Sequence, residues 1–379
     1  MPRLFDGRVD RRSRGAPRRS CGRLVRAIRA GPSMTGFNVF LSCHHFSDPR
    51  SHAQLYADLV EQARHAEALG YDGLSVPEHH FVNLLMNPDP LLFALHVANA
   101  TERLPVTTAV VVLPFHDMRR FAGQAMLADI LSGGRIEFGV GRGAFAYEME
   151  RMGIDPSDTR AKFDESLAVL EALFDGEDVS WRGDWYDFGP LTAMPRSPRR
   201  PKLWIAALGP EAIYHTARRG YDVQTTPLRG GHALAVKQME AFHRGADEAL
   251  AQTDRRPRIS MLRSAYVGTD EADVREKARV AHEYGLRFAN GFETPGTVTR
   301  GELEIVGTDF GFEDAMRQII VGTTNEIVDR IGAYAELGMD EIALDMHLGI
   351  PRHADVMASM ERFAADVMPL FRDSRTSVT

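Results

Sequence analysis

The stretch Leu69-Gly70-Tyr71-Asp72-Gly73-Leu74-Ser75-Val76 (69–76) joins the end of an amphipathic run to an apolar segment through a single Gly. The same junction, Gly followed by an aromatic or Met and then Asp, recurs at Arg219-Gly220-Tyr221-Asp222 and at Leu337-Gly338-Met339-Asp340. Each Gly suits the left-handed residue that ends a helix, with a strand opening two residues later. Short links from helix to strand, repeated, imply parallel strands alternating with helices. Working outward, strands are predicted near 37–43, 73–78, 106–113, 135–140, 202–207, 222–226, 259–267 and 341–346. Helices fall between them. The first, 51–69, sets Leu55, Leu59, Ala63, Ala66 and Leu69 on one face, and that at 324–337 does the same with Ile327, Ile331, Tyr334 and Leu337. Eight alternations without a Pro/Gly/Ser-rich linker predict one α/β domain over 34–379, a (β/α)8 TIM barrel with loop insertions. The insertions are 176–201 and 285–322, long enough to be lids over the C-terminal ends of the strands.

Composition narrows the function classes. With 379 residues, 44% hydrophobic and 26% charged, the chain can bury a sizeable core. Residues 1–33 hold ten Arg and two Asp, so +8 of charge sits there and the rest carries −15. An acidic body argues against nucleic-acid binding. The Arg-rich head lacks the apolar run of a secretory signal and reads as an unstructured extension upstream of a natural start at Met34. Cys21 and Cys43 are too few for a disulfide framework, and no stretch reaches the length of a membrane span. A cytoplasmic protein with no membrane contact is expected.

Alternation along barrel strands separates side chains that pack under helices from those that face the axis. In the second strand Leu74 and Val76 take the outward positions, so Ser75, Pro77 and His79 point inward, with His79 at the C-terminal end where barrel enzymes place their chemistry. In the last strand Ile342, Leu344 and Met346 go outward, leaving Asp345 and His347 inward. On the first strand His44 is inward. His79, His44 and His347 are thus the candidate catalytic side chains, converging on one mouth. A hydrogen-bonded core histidine is the alternative for His79. No metal site is expected from His79 and His80, because neighbours on a strand face opposite ways.

Two turns invite an anion. Gly139-Val140-Gly141-Arg142-Gly143-Ala144 follows the fourth strand, but no acidic residue ends a following strand as a dinucleotide fingerprint requires. Its glycines still admit close approach of a flat or phosphorylated ligand, with Arg142 beside it. Gly209-Pro210-Glu211 follows the fifth strand and opens a helix, where free N–H groups suit phosphate.

These stretches together resemble the bacterial luciferase-like flavin monooxygenases. The likeness runs from about 37 to 372 and is carried by EALGYDGLSVPEHHF (67–81), VVVLPFHDMRRFAGQAMLADILSGGRIEFGVGRG (110–143), LWIAALGPEAIYHTARRG (203–220), VGTTNEIVDRIGAYAELGMDEIAL (321–344) and FAADVMPLF (363–371). The resemblance implies a barrel that binds reduced FMN (FMNH2), reacts it with O2 to a flavin 4a-hydroperoxide, and oxygenates a small organic substrate. It implies a separate NAD(P)H:flavin reductase and a homodimer. The family's catalytic histidine falls on His79 and its phosphate-contacting Arg on Arg142. The flavin would lie against Ala109, Val110, Gly141, Gly143, Leu208, Gly209 and Pro210, with a non-proline cis peptide at Ala109-Val110. Where luciferases often carry Cys this chain has Gly141, and their Glu-Ser pair reads Leu208-Gly209, so light emission is not expected. A deazaflavin-dependent hydride-transfer enzyme and a non-catalytic flavin-binding subunit remain as alternatives on the same barrel.

Overall fold

The structure is a computed structural model that describes residues 36–46, 48–307, 310–350 and 352–372. The expected extension, 1–33, lies outside the described residues. Eight parallel strands close into a barrel: β1 Gly36–Phe40, β2 Gly73–Val76, β3 Val106–Thr108, β4 Ile136–Gly141, β5 Leu203–Ala206, β6 Asp222–Thr225, β7 Ile259–Val267 and β8 Glu341–Asp345. Each pairs with the next, and β8 returns to β1 with Phe40 opposite Asp345. Around it run α1 His52–Leu69, α2 Pro90–Ala100, α3 Met118–Leu131, α4 Ala146–Arg151, α5 Thr159–Asp175, α6 Pro210–Arg218, α7 Gly231–Thr253, α8 Glu271–Glu293, α9 Phe312–Gln318, α10 Thr324–Ala335 and α11 His353–Arg362. Among the described residues no helix is long and apolar enough to cross a membrane.

The repeated junction has a second use that the pattern alone does not disclose. Gly70 ends α1 at φ +83, as a left-handed cap should. The Asp two residues later then reaches sideways to the neighbouring strand. Asp72 accepts the Phe37 N–H, Asp222 the Arg258 N–H and Asp340 the Ile259 N–H, each at 2.8 Å. Every copy therefore ends a helix and pins the start of an adjacent strand, so the motif sets barrel register at its N-terminal end.

Outward residues Leu74, Val76, Ile342, Leu344 and Met346 are fully buried in the main core, between barrel and helices. A second, smaller cluster of Phe40, Val82, Leu84, Leu85, Phe145 and Leu303 sits at the mouth, flanked by Tyr284, Phe288 and Phe292 of α8.

Two expectations need correction. The strand predicted at 106–113 is interrupted: β3 stops at Thr108 and pairing with β4 resumes at Val111–Val112, around a cis Ala109-Val110 peptide. Segment 176–201 is not a lid, because it leads from a helix end into a strand start. It forms an antiparallel hairpin, Val179–Arg182 with Asp187–Leu191, held on the outside of α5 by Glu165, which accepts from Trp181 Nε1 and the Tyr186 N–H. The other insertion begins as helix, since α8 continues to Glu293, and its later part does cover the mouth through Val298 and Leu303.

Candidate active site at the barrel mouth

All the sequence-predicted site residues fall at the C-terminal ends of strands. His79 is 15% exposed at its side chain, and its Nδ1 lies 2.9 Å from Glu148 Oε1. The same oxygen accepts the His80 N–H at 2.7 Å, which makes it an acceptor and places the ring proton of His79 on Nδ1. The Nε2 lone pair is then left without a hydrogen-bond partner among the described residues, with the Phe145 ring centre 4.4 Å from the imidazole. A buried carboxylate behind a histidine is the arrangement that fixes a general base in one tautomer.

Glu148 was not legible beforehand. It sits in the first turn of α4, directly after the Gly-rich turn, and its partner is 69 residues away. A Glu one turn beyond a glycine-rich βα loop is the signal that marks it.

His80 turns the other way, as strand alternation requires. Its Nε2 is 2.9 Å from Glu78 Oε1, which also meets His116 Nε2 at 2.9 Å, while Glu78 Oε2 accepts the Val112 N–H at 2.7 Å. Burial opposes ionisation of Glu78, but hydrogen bonds from His116, His80 and Val112 outweigh it and hold the carboxyl below its usual range. Glu78 thereby clamps the segment after the cis peptide against β4.

That clamp shapes a floor. Val112 pairs with Gly141, and a Cβ on Gly141 would stand 2.8 Å from Val110 Cγ2 and 3.5 Å from Ala206 Cβ. Any side chain at 141 would displace Val110, so Gly141 lets Val110 and Ala206 close up across the ends of β3, β4 and β5. Arg142 is exposed with no ion-pair or hydrogen-bond partner among the described residues, and Gly143 turns the chain at φ +84. Across from it Leu208 leads into α6, whose N-cap Gly209 carries no side chain and whose first residue is Pro210. A Cβ at Gly209 would meet nothing within 4 Å. A small-residue floor between an unpaired guanidinium and an uncapped helix start fits a flat ring with a phosphate tail.

His44 and His347 are together but apart from His79. His44 is fully buried, its ring centre 6.2 Å from that of His347 and its Nε2 3.6 Å from Asp345 Oδ2. An aromatic wall separates this group from His79: Tyr284 lies 4.3 Å from His44, Phe288 6.3 Å from Tyr284, and Phe145 5.5 Å from Phe288. The histidines expected at one mouth stand there as two polar groups at the two ends of one apolar wall.

Comparison with known proteins agrees with this architecture. The family model for luciferase-like monooxygenases matches residues 35–341. The chain is 30% identical over 350 residues, covering 89% of it and 96% of the relative, to the oxygenase component of the flavin-dependent trigonelline monooxygenase of Acinetobacter baylyi. It is 27% identical, over 85% of its length and 95% of the relative's, to an F420-dependent glucose-6-phosphate dehydrogenase of Beutenbergia cavernae. The crystal structure of monooxygenase RslO1 from Streptomyces bottropensis superposes with a TM-score of 0.77 at 26% identity, covering 89% of this chain and all of that one.

Proposed function

The chain belongs to the luciferase-like monooxygenase family of oxidoreductases, and from that premise we propose that it is the oxygenase component of a two-component flavin monooxygenase. It takes reduced FMN from a separate NAD(P)H:flavin reductase and, with O2, oxygenates a small organic substrate at the barrel mouth. The observation that carries this reading is the His79–Glu148 pair just past the end of β2, the strand next to the β3–β5 ends where Val110, Gly141 and Ala206 meet.

In this reading Gly141 and Ala109 admit the flavin ring, and Arg142 with the α6 start holds the phosphate. Bound there, reduced flavin supplies the electrons that activate O2. The protein's own residues do the rest. Glu148 keeps the His79 proton on Nδ1, so Nε2 is the atom that takes or returns a proton at the reaction centre. Phe145, Phe288 and Tyr284 line the space with apolar surface and keep bulk water from it.

Relatives of the chain include F420-dependent glucose-6-phosphate dehydrogenases, which favours a hydride-transfer enzyme as the second reading. Anaerobic titration with FMNH2 and with reduced F420, followed by tryptophan fluorescence, separates them. The expected result is tighter binding of FMNH2 and, on mixing with oxygen, reoxidation slower than that of free FMNH2. Tighter binding of reduced F420, without oxygen uptake, would replace the oxygenase reading by the hydride-transfer one.

A further inference from the structure

The His44, Asp345 and His347 group has no part in the chemistry assigned to His79, yet it is built with unusual consistency. The three residues are at most 2% exposed, at the ends of β1 and β8, across the mouth from the β3–β5 floor. Three of their polar atoms, His44 Nε2, Asp345 Oδ2 and His347 Nε2, lack a hydrogen-bond partner. Buried polar atoms are rarely left so, and here two stand 3.6 Å apart with the third on a ring 6.2 Å from that of His44, which marks a place for a ligand group.

The atoms that are engaged define those that are not. His44 Nδ1 accepts the Leu85 N–H and His347 Nδ1 accepts the Gly349 N–H, each at 3.2 Å. Each neutral ring therefore carries its proton on Nε2. Burial, with His44 nearby, drives His347 down to about 3, so it stays neutral. Asp345 Oδ1 accepts from Ser42 Oγ at 2.7 Å and from the Leu348 N–H at 3.2 Å, leaving Oδ2 as a bare acceptor. Burial opposes that carboxylate, but His44 and the hydrogen bonds outweigh it and hold it below its usual range. His44 Nε2 and Asp345 Oδ2, 3.6 Å apart, are beyond a good hydrogen bond and near enough to share one small group.

Two donors and one acceptor complement a hydroxyl, which accepts two hydrogen bonds and donates one. A carboxylate would be repelled by Asp345, and an ether would leave Oδ2 without a donor. The neighbours are flat: Phe46 stacks 5.1 Å from His44, Tyr284 is 4.3 Å away, and Phe288 and Phe145 continue to His79. We propose that His44, His347 and Asp345 anchor the hydroxyl of a phenolic substrate whose ring lies along the Tyr284–Phe288–Phe145 wall toward His79. The direction of the ring rests on the oxygenase reading; the anchor itself does not.

Calorimetric titration of the full chain with 4-methylphenol, 4-methylanisole and 4-methylbenzoate tests this without turnover. The phenol should bind about tenfold or more tightly than the other two, since a site built for a hydroxyl rejects analogues lacking it. Asp345→Asn should erase that preference while FMN affinity, read by flavin fluorescence, is unchanged. His347→Phe serves the same purpose if Asp345→Asn does not fold. Equal binding of the three probes would overturn the proposal. So would tightest binding of 4-methylbenzoate, which would move the anchor to Arg287, whose guanidinium lies 5.1 Å over Phe46. A crystal structure with 4-methylphenol bound elsewhere and only water at the three atoms would do so as well. Phenol preference without FMN binding would remove the oxygenase reading and leave the anchor; FMN binding without phenol preference would do the reverse.

Discussion

At His79 the carboxylate of Glu148 decides which nitrogen is free, and that decides what the residue can do. His79→Ala should leave the fold and most FMN affinity intact and lower coupled turnover about 10²–10⁴-fold, the usual worth of general acid–base help. A histidine that merely fills the core predicts instead a loss of about 1–3 kcal/mol of stability, with activity falling only as folded protein is lost. Melting temperature, FMN affinity and turnover on one sample separate the two. Glu341, at the other end of the barrel, makes a prediction of opposite kind. It accepts from Asn38 Nδ2 at 2.9 Å, and burial pushes its carboxyl up to about 7, with Ser260 and Arg258 pulling down and Glu137 adding to the rise. The folded state then holds the proton more tightly than the unfolded chain, whose carboxyl titrates near 4.5. Stability from this group is full below that value and is lost as pH rises through about 7. Glu341→Gln, which mimics the protonated form, should raise the melting temperature above that point and flatten its fall with pH. An unchanged pH profile would show that Glu341 ionises freely in the fold.

Among the elements, the eight strands and their order were legible because the Gly-x-Asp junction and the alternation of Leu74, Val76, Ile342 and Leu344 are local signals. The partners of the junction Asp residues were not, since the capped N–H groups lie 35 to 81 residues away. Asp222 takes Arg255 Nη2 as well as the Arg258 N–H. Asp222→Ala should cost about 1–3 kcal/mol in urea unfolding, because it strands a strand-edge donor, with turnover per folded molecule unchanged. Local pattern misled at 176–201, where aromatics and glycines read as a lid but Trp181 and Tyr186 tie the hairpin to α5. It served better at 285–322, whose Phe288 and Phe292 meet the mouth cluster. If α8 and the following segment close the mouth, amide exchange over 285–320 should slow when reduced FMN and substrate are added together. Exchange that ignores both would make the segment a static cover.

On the scale of the whole molecule, a closed barrel puts its chemistry at one end and leaves the outer helices free for association. The α2 and α3 helices pack side by side, and α3 turns Leu127, Ile130 and Leu131 outward at 44%, 40% and 54% exposure, with Leu92 of α2 at 69%. Residues at i, i+3 and i+4 form one stripe, and a stripe of large aliphatics is more than the scattered apolar side chains every surface carries. The homodimer implied by the family resemblance would bury such a stripe against its own copy, since a two-fold interface is self-complementary. Sedimentation should then give twice the 42.2 kDa chain mass, and Leu127→Glu with Leu131→Glu should shift the protein to monomer without changing its circular dichroism. Two carboxylates on each side of a two-fold contact meet like charges and lose apolar burial at once, so dissociation should be nearly complete at micromolar concentration. A wild-type monomer under the same conditions would remove the dimer, and a double variant that still dimerises would move the interface to another face.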